Sequence, residues 1–82
     1  MDDHSAIAFL NAELQTGLTM SRIALHARRE DQKSRLRANA RKAYDAILHY
    51  LPGSHLTPKQ AADLEGKLAQ LRSELELLGE VL

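Results

Sequence analysis

From residue 61 to the end of the chain, Ala61, Leu64, Leu68, Leu71, Leu75, Leu78 and Leu82 follow one another at alternating steps of three and four. On an α-helix that spacing draws a single apolar seam of three heptads. The start of this helix is equally well marked. Thr57 is the expected N-cap, Pro58 stands at N1, and Gln60 at N3 completes a capping box. Leu56 and Ala61 occupy the N′ and N4 positions of a hydrophobic staple. A seam this long must be covered, either by the rest of the chain or by another one.

The rest of the chain, within a total of 82 residues, is also helical in character. Only seven residues are β-branched, and no stretch alternates with period two. Alanine, leucine, arginine, glutamate and glutamine dominate, all strong helix formers. The residues expected to interrupt helices are Pro52-Gly53 and Pro58. In the first helix Ile7, Leu10, Leu14, Leu18 and Leu25 share one face, with Phe9, Met20 and Ile23 on a second. Asp3 or Ser5 would cap its start. Gly17 suits either a close approach between helices or a tolerated helix-interior glycine. Residues 28–35 carry no apolar side chain. They read as a tight turn with Asp31 as N-cap, although Leu25 and Leu36 would remain in phase along one continuous helix. In the second helix Leu36, Ala40, Ala43, Ile47 and Tyr50/Leu51 point inward, and Pro52 ends it. The expectation is all-α: one up-down-up three-helix bundle with a leucine-rich C-terminal helix, its helices near 5–28, 32–51 and 58–79.

Eleven basic and eleven acidic residues cancel, but they are not mixed evenly. Residues 22–42 hold eight basic and two acidic side chains, +6, whereas residues 1–21 carry −3 and residues 57–82 carry −2. An up-down-up bundle would set Glu74, Glu76 and Glu80 beside Lys33, Arg35 and Arg37, so the segregation is what intramolecular pairing looks like. The other reading of the basic stretch is phosphate binding through Arg28, Arg29, Lys33, Arg35, Arg37 and Arg41. Arg35-Leu36-Arg37-Ala38-Asn39-Ala40-Arg41-Lys42 resembles the basic region of a leucine-zipper transcription factor, although no long zipper follows it.

Chemistry finds little foothold. The chain has no cysteine, and His4, His26, His49 and His55 show no ligand spacing, so neither metal nor cofactor is expected. The serines lack a nucleophile context, and an enzyme is not expected. No apolar run approaches the ~18 residues of a membrane span, and the first residues do not read as a signal peptide; a cytoplasmic protein is expected.

The seam is expected first to pack inside the bundle; helix 3 also displays Ala62, Ala69, Leu77 and Val81 outside it, which raises the further reading that it pairs with a second copy. An antiparallel homodimer through Leu64, Leu68, Leu71 and Leu75 would set Glu65 against the partner's Arg72 and Lys67 against the partner's Glu74, with Leu68 near the partner's Leu71. A parallel one would oppose Lys67 and Arg72. The run Ala40 to Pro52, with Ala40, Tyr44 and Pro52 at compatible spacing, resembles the second helix of a tetratricopeptide-type hairpin. The overall plan is similar to the microtubule-interacting-and-trafficking three-helix domain. Both resemblances imply an adaptor with a groove between helices for a partner helix or peptide, here at Tyr44, Leu48, Leu64 and Leu71. A non-enzymatic helical protein–protein interaction or scaffolding module follows, with a nucleic-acid-associated protein as the alternative.

Overall fold

A computed structural model describes residues 3–82, with side chains from Ser5 onward. It is a three-helix up-down-up bundle: α1 spans Asp3–His26, α2 Glu30–Tyr50 and α3 Pro58–Leu77, with a 3-10 turn at Leu51–Gly53. No strand occurs among the described residues.

The first connection is shorter than the apolar gap suggests. Only residues 27–29 leave the helix, and the polar run from Glu30 onward is already α2. Arg29, extended at φ −91° and ψ 129°, takes the N-cap position expected of Asp31. Asp31 and Glu30 instead sit in the first turn, where carboxylates favour the positive end of the helix dipole. The Arg29 guanidinium donates to both Asp31 carboxylate oxygens, at 3.2 and 3.0 Å, and fastens the turn. A polar run tolerates a helix once its ends are charged appropriately, which is why composition alone misplaces the break. Ser5 lies inside α1 rather than at its start, and the Asp3 side chain falls outside the described ones.

The second connection follows the sequence signals closely. Ser54 donates from its hydroxyl to the Tyr50 carbonyl at 2.9 Å, closing α2. The Thr57 hydroxyl then accepts from the Gln60 N–H at 3.1 Å, while the Gln60 side-chain oxygen accepts from the Thr57 N–H at 3.0 Å. At its other end α3 stops two residues before the expected 79. Gly79, at φ +99°, donates to the Glu76 carbonyl and Glu80 donates to that of Leu75, each at 3.0 Å. This is a Schellman ending, for which glycine is the favoured residue. Leu82 is therefore not the last step of a helical seam; it folds back and packs against the core from a non-helical tail.

The core consists of Leu10, Leu14 and Leu18 from α1, Ala40, Tyr44 and Ile47 from α2, and Leu64, Leu71 and Leu75 from α3. Leu25 and Leu36 are only partly covered and Tyr50 is half exposed, whereas Ala24 and Ser21 are fully buried. Gly17 settles as a close approach: a Cβ there would stand 2.8 Å from a Leu71 methyl carbon and 3.3 Å from the Ala43 Cβ. Gly66 faces open space.

The two glycines should therefore respond in opposite ways. Gly66→Ala is expected to stabilise the fold by about 0.5–1 kcal/mol, the ordinary helix-interior gain. Gly17→Ala forces the fully buried Leu71 to move, an overpacking that typically costs about 1–3 kcal/mol. It should lower stability despite the same propensity gain. Urea unfolding of the two variants checks both signs.

Candidate interaction surface

Helix α1 packs closely on both neighbours, but α2 and α3 meet each other only sparingly, and a groove runs between them. Its lining is Tyr44 and Leu48 from α2 with Glu65, Leu68, Ala69 and Arg72 from α3, around a depression of about 250 Å³. The floor is the buried Tyr44 ring, and Leu48 stands 45% exposed at the wall. Glu65 and Arg72 mark the two ends. They are seven residues apart, or about 10 Å along a helix at ~1.5 Å per residue.

The seam expected as a partner interface divides on burial. Leu64, Leu71 and Leu75 are at most 2% exposed, packed against the chain's own α1 and α2. They are core and are not available to a second chain in this fold. Of the six interface candidates, Glu65, Leu68 and Arg72 reach the surface, and all three line the groove. The groove expectation fares similarly: Tyr44 and Leu48 line it, whereas Leu64 and Leu71 lie beneath. A Leu68 contact with a partner's Leu71 is excluded for the same reason. Glu74 is also turned inward, accepting from the buried Ser21 hydroxyl at 2.6 Å and facing Arg22 at 3.4 Å. It is not free to meet a partner's Lys67.

The basic segment is partly consumed. Arg37 and Arg41 converge on Glu80, at 3.8 and 3.7 Å, and Arg37 also donates to the Leu78 carbonyl at 2.9 Å. Arg41 reaches Asp45 at 3.1 Å and the Val81 carbonyl at 3.5 Å, and Arg29 is held by Asp31. So Glu80 does meet α2, through Arg37 and Arg41 rather than Lys33 or Arg35. Glu74 pairs with α1, and Glu76 with Arg72 of its own helix at 3.4 Å. Among the described residues Arg28, Lys33 and Arg35 form no ion pair. Of the six candidate phosphate ligands, these three remain unengaged.

Two features escape a reading of the sequence. The tail from Gly79 to Leu82 is strapped over the end of the α2–α3 gap by Arg37, Arg41 and Arg72, the last donating to the Leu82 carbonyl at 3.4 Å. Gly79, a helix-stop residue just past Leu78, is the signal that could have found it. A second, wider depression of about 700 Å³ lies at the α1–α2 turn, lined by Arg22, Ile23, His26, Ala27, Arg28, Arg29 and Gln32. Only Arg28 and Arg29 of that set stand out in the sequence as candidate ligands.

No group of three potential metal ligands gathers among the described residues, and no helix is long and apolar enough to cross a membrane. No protein-family model, curated protein or solved structure matches the chain. The tetratricopeptide and microtubule-interacting resemblances therefore rest on Ala40, Tyr44, Pro52 and the three-helix plan alone. The groove's aliphatic wall and paired rim charges suit an amphipathic helix laid along it.

Core and groove leucines should separate cleanly by mutation. Leu71→Ala is expected to cost about 2–5 kcal/mol, as for a fully enclosed leucine. Leu48→Lys should cost less than about 1 kcal/mol, since an exposed helix position accepts a long charged side chain. Equal losses in thermal unfolding would contradict this assignment of inner and outer leucines.

Proposed function

We propose that the chain is a non-enzymatic helical protein–protein interaction or scaffolding module that self-associates through the α2–α3 groove. The observation that carries this reading is Leu48, 45% exposed above Tyr44 and beside Leu68 and Ala69. A bundle of this size has already enclosed its inner leucines, so an apolar wall left open at a groove has apolar area to gain from a partner. Charged residues at the rim would orient that partner rather than drive the association. The proposal includes the cytoplasmic setting expected from the sequence.

The second reading is a small nucleic-acid-associated protein. It is favoured by Arg28, Lys33 and Arg35, which stand without ion-pair partners among the described residues, on and beside the α1–α2 turn. Against it, Arg22, Arg29, Arg37 and Arg41 already face carboxylates.

Sedimentation equilibrium at low and high salt, run beside anisotropy titrations with a DNA duplex, separates the two. The interaction reading expects self-association that changes little between about 0.05 and about 0.5 M salt, a range over which surface charges become screened. It also expects that association to be lost in Leu48→Lys. Duplex binding that falls steeply with salt, and disappears when Arg28, Lys33 and Arg35 become alanine, would favour the alternative and overturn it.

A further inference from the structure

We propose that the occupant of the α2–α3 groove is a second copy of this chain, arranged about a two-fold axis with the α3 helices antiparallel. The inference rests on the self-association proposed above and adds its symmetry, orientation and pairing residues. Its ground is the self-complementarity of the rim. Glu65 stands at one end and Arg72 at the other, with Leu68 and Ala69 midway between them. A two-fold axis through that midpoint turns the surface end for end. Glu65 of each copy then meets Arg72 of the other, while Leu68 and Leu48 cover the opposite apolar wall. A parallel arrangement instead sets Glu65 against Glu65 and Arg72 against Arg72, two repulsive contacts.

The side chains are placed to serve this contact. Glu65 forms no ion pair among the described residues, and Arg72 is engaged by its exposed helical neighbour Glu76, with side chains 52% and 55% exposed, and by the Leu82 carbonyl at 3.4 Å. Exchange of that exposed pair for an intermolecular one loses little. Ala69 presents only a methyl group at the centre. A small residue at this place lets two helix backbones approach closely. The interface is isologous, so every contact occurs twice. This differs from the leucine-seam dimer, whose Leu71 and Glu74 contacts are spent inside each bundle.

Because each contact couples two different residues, the charges can be exchanged between protomers. Glu65→Arg alone opposes two arginines at both ends of its homodimer, and Arg72→Glu alone opposes two glutamates. Mixed one to one, however, the two variants form a heterodimer with attraction at both ends. At one end the arginine introduced by E65R faces the glutamate introduced by R72E; at the other, native Arg72 faces native Glu65. Sedimentation equilibrium of wild type, each variant and the mixture reads this out, with circular dichroism confirming that all remain folded. Each variant alone is expected to associate at least about tenfold more weakly than wild type, with the mixture restored to near the wild-type constant. Association lost in Leu48→Lys but indifferent to both charge reversals would overturn the two-fold pairing and leave the groove reading standing. Association indifferent to Leu48→Lys as well would overturn both. A wild-type chain that stays monomeric at high micromolar concentration overturns the pairing together with the self-association on which it rests.

Discussion

The contact on which the bundle depends is the one at Gly17, where the α1 backbone comes against Leu71 of α3 and Ala43 of α2 at the same level. A missing side chain there lets three helices share one small volume, and a buried leucine fills what the glycine leaves. The consequences run outward from it. Helix α1 becomes the spine against which both neighbours close, with Leu10, Leu14 and Leu18 meeting Ile47, Leu64, Leu71 and Leu75. Helices α2 and α3, each drawn toward α1, need not close against each other. The groove lined by Tyr44, Leu48 and Leu68 is what remains between them.

Electrostatics fixes which way round this packing goes more than it holds it together. The Ser21 hydroxyl is fully buried and meets Glu74, whose other carboxylate oxygen faces Arg22. No buried side-chain nitrogen or oxygen among the described residues lacks a partner. At the far side Arg37 and Arg41 draw Glu80 and the tail carbonyls across the end of the gap. Ion pairs whose arginines stand partly in solvent are worth only ~0–1 kcal/mol each, too little to stabilise the fold alone. An inverted topology, though, would part these charges from their partners and forfeit those small terms together. The same pairs withdraw part of the basic segment from any phosphate ligand.

Much of this was legible in the amino-acid order. The all-α bundle follows from helix formers, heptad spacing and the one connection bounded by Pro52 and Pro58, and the capping box at Thr57 and Gln60 forms as its spacing implies. The groove was legible in part, because Leu48 falls outside the α2 stripe that points inward. Three things were not. The exact place of the α1–α2 turn, expected within residues 28–35 and found at 27–29, is set by Arg29 and the acidic first turn of α2, local charges that a polar run conceals among many others. The partition of the leucine seam is invisible to periodicity: Leu68 and Leu71 are successive steps of one seam, yet Leu71 is sealed and Leu68 is not. Which of them is covered depends on how far α2 leans away from α3, a property of the whole bundle. The fold-back of Leu82 was hidden because a residue four positions after Leu78 continues the seam in sequence while Gly79 ends it in space.

The inner leucines of α3 are spent within one chain, leaving Leu48 and Leu68 to face outward. Leucine methyl NMR of the dilute chain with a soluble paramagnetic agent tests this division directly. Strong attenuation is expected at Leu77 and Leu48, intermediate attenuation at Leu68, and protection at Leu64, Leu71 and Leu75. Attenuation of Leu71 and Leu75 equal to that of Leu77 would contradict the division, since those side chains would then lie on a surface and not in a core.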